Sequence, residues 1–65
     1  MKTITSGKVD TVTDKYIVIV GDDGVITNDV TELCTGEIHV GASSTVYVFD
    51  TLPELEEFVN NQGTK

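Results

Sequence analysis

The sequence predicts an α+β fold: an antiparallel sheet of four to five short strands in two hairpins, with one C-terminal amphipathic helix packed on one face. Three observations predict it. Valine, isoleucine and threonine are frequent in the first 49 residues, and these residues favour extended backbone. Clusters of glycine, aspartate and serine interrupt the apolar runs and indicate turns. A helix-capping pattern then precedes a run with helical periodicity. With 65 residues, the chain is predicted to be a single domain, 1–65.

The first strands are predicted from their composition. Residues 2–5 (KTIT) and 8–13 (KVDTVT) lie on either side of Gly7, which indicates a bulge or a turn. Residues 15–20 (KYIVIV) form the strongest predicted strand. Residues 24–27 (GVIT) are expected to return antiparallel to it, because Asp22, Asp23 and Gly24 are the residue types that a hairpin turn requires.

The middle of the chain is ambiguous. In residues 28–36 (NDVTELCTG), Asn28 could cap a short helical turn that ends at Gly36, and an irregular connection or a short strand is equally compatible. We favour a short turn or loop. Residues 37–40 (EIHV) and 45–49 (TVYVF) are then predicted to pair as the second hairpin, around the four small residues 41–44.

The C-terminal helix is predicted from its first turn and its periodicity. Thr51 and Glu54 match a capping box, and Pro53 is tolerated in a first turn. Gly63 is expected to end the helix. Four apolar residues spaced three or four apart are expected to line one face: Leu52, Leu55, Phe58 and Val59.

Two predicted strands are apolar on both sides of the sheet, because neighbouring residues of a strand point to opposite faces. One face carries Ile17, Ile19, Val46 and Val48, and the other carries Tyr16, Val18, Val20, Tyr47 and Phe49. A single helix covers only one face. Either the sheet curls into a small barrel, or another chain covers the second face. We predict the latter, as a homodimer, a small homo-oligomer or a complex with another protein, with an apolar interface of Tyr16, Val18, Val20, Tyr47 and Phe49.

The composition restricts the partners. Eleven acidic residues oppose four lysines, there is no arginine, and the net charge is −7. Direct binding to nucleic acid or to anionic membranes is therefore disfavoured, and a basic protein partner would be attracted. No segment approaches the length of a membrane span. The first ten residues lack the apolar run of a signal peptide, and Cys34 is the only cysteine. These features predict a cytoplasmic protein.

The stretch VGDDG, residues 20–24, resembles the strand–Gly-Asp-Asp–strand hairpin of template-directed RNA polymerases, whose aspartates hold catalytic magnesium. It also resembles the acidic strand end of receiver domains. The resemblance covers only these residues. Polymerase chemistry needs a further aspartate on a neighbouring strand, basic residues for phosphates and an enclosed two-metal site. Aspartate followed by glycine is common at hairpin turns for backbone reasons alone, so we interpret VGDDG as a turn.

Other chemistries lack a pattern in this sequence. Asp22, Asp23, Asn28 and Asp29 are close together but do not match the spacing of a calcium loop. Cys34 and His39 are too few for a structural zinc site within one chain, although two chains could share one. The favoured roles are a small buried apolar residue for the cysteine and a polar strand position for the histidine. We therefore predict no enzyme activity, no catalytic residues, no cofactor and no metal site.

The sequence favours a small acidic protein that works by binding another protein. Its predicted acidic interaction residues are Asp22, Asp23, Glu54, Glu56 and Glu57. Such a protein could be an inhibitor or regulator of the kind that mobile elements use against basic host proteins, with carboxylates that imitate a DNA backbone. The alternative is a structural decoration or assembly subunit that associates through its second apolar sheet face.

Overall fold

The computed structural model describes residues 2–63, which form four strands followed by one helix. The strands are β1 (Lys2–Thr5), β2 (Val9–Gly21), β3 (Ile26–His39) and β4 (Ser44–Phe49), and the helix is α1 (Leu52–Gly63). All strand pairs are antiparallel, and the helix packs against the sheet. The predicted α+β class is therefore confirmed. Two strands are much longer than expected, because β2 has 13 residues and β3 has 14.

The strand order is β1-β4-β2-β3, so β4 lies between the first two strands of the chain. Residues 16–21 of β2 pair with 44–49 of β4, and residues 2–5 of β1 pair with the other edge of β4. The predicted hairpin between residues 37–40 and 45–49 is wrong. Residues 36–39 of β3 pair with residues 9–12 of β2 instead. The long β2 offers a hydrogen-bonding partner to both segments, and the local turn at 41–44 does not decide which strands become neighbours.

The turn or loop favoured for residues 28–36 is also wrong, because all of them belong to β3. Asn28, Asp29 and Val30 pair directly with Ile19, Val18 and Ile17 of β2. Asparagine and aspartate disfavour strands in isolation, but strand propensity depends strongly on context. Here the apolar β2 strand supplies the pairing that the local sequence of β3 does not indicate.

β2 is one strand where two were expected, and it is irregular at Asp14. The pairing of β2 with β3 shifts register between Val12 and Lys15. Asp14 has a positive φ of 53°, and its N–H donates to the Thr35 hydroxyl at 3.2 Å. A bulge of this kind bends a strand and increases its twist. The first part of β2 consequently turns over the sheet face that the helix does not cover.

Each sheet face has its own apolar core. Beneath the helix, Val18, Val20, Phe49 and Leu55 are buried. On the opposite face, a second buried cluster joins β1, β2, β4 and the residue that follows β3: Ile4, Val12, Ile17, Val40, Val46 and Val48. The bend in β2 brings Val12 into this cluster. Curling of the sheet, the first of the two solutions weighed from the sequence, therefore covers the second face within one chain.

The helix covers the sheet face that was predicted to remain for a partner. Of the five predicted apolar interface residues, Val18, Val20 and Phe49 are buried and Tyr16 and Tyr47 are half-buried, all in the core beneath α1. This difference arises because the sequence pattern identified two apolar faces without indicating which one the helix would choose. The predicted apolar face of the helix is confirmed, since Leu52, Leu55, Phe58 and Val59 all pack in this core.

Candidate protein-interaction surface

The Asp22-Asp23 turn is held by its own hydrogen bonds. The Gly24 N–H donates to the Gly21 carbonyl at 3.0 Å, and the Gly21 N–H donates to the Val25 carbonyl at 2.9 Å. The Asp23 carboxylate accepts the Val25 N–H at 3.0 Å. Gly24 has a φ of 82°, as expected for the left-handed position of a three-residue hairpin loop. The Asp23 carboxylate therefore has a structural role in the turn, and Asp22 is exposed.

The potential metal ligands do not converge in residues 2–63, where no group of three or more His, Cys, Asp or Glu side chains could hold an ion. Cys34 is half-buried and its thiol lies 3.5 Å from the Glu32 carbonyl. His39 is exposed, and its Nε2 lies 3.5 Å from a Glu37 carboxylate oxygen. The cysteine and the histidine lie five positions apart on β3, which is about 16 Å along a strand.

Two of the lysines are paired with aspartates around one cavity. Lys2 contacts Asp10, and Lys15 contacts Asp50. Hydrogen bonding from these lysines lowers the pKa of Asp10 and of Asp50 below the usual value of aspartate. The cavity, of about 310 Å³, lies between the first half of β2 and the adjoining parts of β1 and β4, and its apolar lining is Val12 and Val48. Positive and negative charges balance on this side of the molecule.

In contrast to this balance, β3 and α1 carry an excess of negative charge. Each carries three acidic residues and neither carries a lysine or an arginine: Asp29, Glu32 and Glu37 on β3, and Glu54, Glu56 and Glu57 on α1. No ion pair joins a lysine to any of these six carboxylates within residues 2–63. Of these six, Asp29 and Glu56 line one cavity and Glu54 and Glu57 line another, whereas Glu37 lies near His39 in the part of β3 that pairs with the start of β2. Carboxylates that lie together reinforce one another's field, so the surface around α1 attracts cations.

A groove separates β3 from α1, and we refer to it as the β3–α1 groove. Its volume is about 350 Å³. Two residues of β3 and four of α1 line it: Asp29, Thr31, Leu55, Glu56, Val59 and Asn60. Leu55 and Val59 are the apolar residues of the lining, and Asp29 of β3 and Glu56 of α1 are its acidic residues. The groove can therefore accept an aliphatic chain that ends in a positive charge.

The other flank of the helix carries the remaining two glutamates. Glu54 and Glu57 line a smaller groove of about 240 Å³ together with Phe49, Phe58 and Asn61. The Phe58 ring lies 5.4 Å from the Phe49 ring, measured between centroids. The Thr51 hydroxyl donates to the Glu54 carboxylate at 2.8 Å. The predicted capping residues therefore meet through their side chains. Glu56 lines the β3–α1 groove, whereas Glu57 lines this smaller groove.

The predicted acidic interaction residues do not form one cluster. The helix begins shortly after Phe49, which pairs with Tyr16, whereas the Asp22-Asp23 turn follows Gly21, which pairs with Ser44. Tyr16 and Gly21 are five residues, or roughly 16 Å, apart along β2. Sequence reasoning considered Asp29 for a calcium loop, whose spacing is not met, and counted it among acidic residues dispersed along the chain, and it missed that Asp29 and Glu56 line the same groove. Only the assignment of residues 28–31 to a strand next to the helix could have revealed this shared groove.

Comparisons with known proteins do not name a family. No family model, no curated protein and no solved structure matches the chain significantly. Within residues 2–63, the structure contains no helix that is long and apolar enough to cross a membrane. The functional argument therefore depends on the surface just described.

Proposed function

We propose that this protein is a non-enzymatic interaction module that binds a basic protein through the acidic side formed by β3 and α1. One observation carries the proposal: these two elements, which line a common groove, have six carboxylates and no lysine or arginine. The lysines Lys2 and Lys15 are neutralised elsewhere. A surface of this kind accelerates encounter with a positively charged partner and disfavours nucleic acid.

A partner that itself binds nucleic acid fits this proposal. Its basic surface would be occupied by carboxylates in place of phosphates, and the protein would act as an inhibitor or regulator of that partner. Glu54, Glu56 and Glu57 supply carboxylates on both flanks of one helix. Asp22 and Asp23 lie in the hairpin turn that follows β2, and their role as interaction residues stays a prediction.

Binding of an octalysine peptide, measured by fluorescence anisotropy, tests the proposal. We expect the affinity to fall steeply between low and physiological salt, because exposed charges are screened by ions. The double variant Glu56→Gln/Glu57→Gln should bind about three- to tenfold more weakly, as expected for the loss of two exposed charge pairs.

The matched control is Asp14→Asn/Asp50→Asn, which removes the same number of charges from the bend in β2 and from the ion pair with Lys15. Asparagine tolerates the positive φ of Asp14. We expect the control to bind octalysine nearly as well as the wild-type protein. Equal weakening by the two double variants would show that the peptide responds to net charge alone, and the proposed surface would be refuted.

The alternative function, a decoration or assembly subunit, required a second apolar sheet face that remains open. Val12, Ile17, Val46 and Val48 of that face are buried within the single chain, so no observation favours this alternative. A homodimer also stays a prediction. The dimer was predicted because one sheet face was expected to be uncovered, and the curled sheet buries that face within one chain.

A further inference from the structure

β3 is a long edge strand. In the strand order, β3 pairs with β2 and has no hydrogen-bonded strand on its other side within residues 2–63. Alternate residues of an edge strand direct their N–H and C=O groups away from the sheet, where a further strand can bind. The other edge strand, β1, has only four residues, whereas β3 has 14. The pairing of β3 with β2 shifts register between Ile26 and Asn28 and between Val30 and Cys34, so the regular parts of this edge are residues 28–30 and 36–39. Residues 28–30 are the regular part of the edge beside the helix, where strand addition can begin.

The two faces beside this edge differ in chemistry. On the helix side, Asp29 and Thr31 line the β3–α1 groove together with Glu56. On the other side, Val30 and Cys34 are half-buried and pack against the second core. Side chains of an added strand alternate between these faces. An extended segment that alternates basic and apolar residues would place its cations between Asp29 and Glu56 and its apolar residues beside Val30 and Cys34.

The acidic residues along β3 favour a basic segment over a second copy of the chain as the added strand. A second copy of the chain would bring another Asp29 and another Glu32 to the same edge, and like charges that face each other across strands are destabilising. A basic segment would meet opposite charge at these positions. We propose that β3 binds an extended basic segment of a partner protein as a fifth strand of the sheet, with its cationic side chains in the β3–α1 groove. This inference rests on the proposed function and specifies how the partner is recognised.

The test uses an eight-residue peptide that alternates lysine and valine, compared with two N-methylated forms. One form is methylated at the lysine N–H groups and the other at the valine N–H groups. In an added strand, the N–H groups of alternate residues all point to the same side. We therefore expect one methylated peptide to bind at least ~10-fold more weakly than the parent, because it loses several main-chain hydrogen bonds. The other should bind like the parent. Whether the lysine-methylated or the valine-methylated peptide binds more weakly depends on the direction of the added strand.

Amide hydrogen exchange locates the binding edge independently. The parent peptide should slow exchange of the outward-facing amides in residues 28–30, where β3 pairs regularly with β2. Protection that is confined to α1, or to the Asp22-Asp23 turn, would overturn strand addition. So would two methylated peptides that both bind like the parent. Salt-dependent octalysine binding would leave the proposed function intact in either case, so failure of the recognition mode is distinguishable from failure of the function.

Single variants test the groove. Asp29→Asn and Glu56→Gln should each weaken binding of the alternating peptide about two- to fivefold, as expected for one exposed charge pair. Asp14→Asn is the matched control for both variants, because it removes one charge from the bend in β2, Asp14 does not line the groove, and asparagine tolerates its positive φ. If the control weakens binding as much as the groove variants, the cations do not bind in the groove and the inference is overturned.

Discussion

Replacement of Leu55 by alanine should remove a large part of the stability of this protein. Leu55 is the most buried residue of α1, with 1% of its surface exposed, and it packs in the core with Val18, Val20 and Phe49. A buried Leu→Ala change costs about 2–5 kcal/mol, from lost burial and from the cavity that remains. At 0.05–0.15 kcal/mol per residue, a chain of this length has a total stability of about 3–10 kcal/mol. The variant should therefore lose between about a fifth and all of the folding free energy.

Urea unfolding measures this loss, with tyrosine fluorescence and far-ultraviolet circular dichroism as parallel probes. Tyr47 is a useful reporter because its ring packs 4.7 Å from the Phe58 ring beneath the helix. The matched control is Leu33→Ala. Leu33 has the same side chain on β3 but is 57% exposed, so its replacement should cost less than about 1 kcal/mol.

The comparison of the two leucines tests the packing argument directly. The expected difference corresponds to a fall in the midpoint of thermal unfolding of more than about 10 °C for Leu55→Ala relative to Leu33→Ala. If the two variants unfold at the same urea concentration, the helix is not docked on the sheet through Leu55. The β3–α1 groove would then lose its structural basis as well.

The remaining predictions concern a turn and an ion pair. Gly24→Ala should cost about 1–2 kcal/mol in urea unfolding, since Gly24 has a φ of 82° and a β-carbon strains that conformation. Gly41→Ala is the control and should be nearly neutral, because open space surrounds its Cα and its φ is not positive. Equal costs would contradict the turn geometry. Lys15→Met should return the pKa of Asp50 towards its usual value of 3.8, because the hydrogen bond from Lys15 and then its charge lower it. The lowered pKa stabilises the wild-type protein above the unfolded pKa, and this contribution is lost as the pH falls through the folded pKa. The stability difference between wild type and variant should therefore narrow in acid, and an Asp50 titration by nuclear magnetic resonance that is unchanged in the variant would contradict the pairing.

Local sequence predicted the elements whose determinants are local. Thr51 and Glu54 predicted the start of the helix, and the spacing of Leu55, Phe58 and Val59 predicted its buried face. The hairpin turn was predicted because its glycine must adopt a left-handed conformation that few other residues tolerate. Strand pairing was not predictable in the same way. Residues 28–36 have weak strand propensity, and they are extended because β2 is available as a partner.

The sequence by itself determined the fold class, the two apolar faces and the excess of negative charge. Each depends on residue type and on periodicities of two or 3.6 residues, which are properties of neighbouring positions. Only the tertiary structure decided that β4 inserts between β1 and β2, that the helix covers the face with Tyr16 and Phe49, and that Asp29 lies across a groove from Glu56. Contacts of this kind join positions far apart in the chain. These contacts depend on the bend at Asp14 and on which strands pair with β2. No local sequence pattern indicates either one.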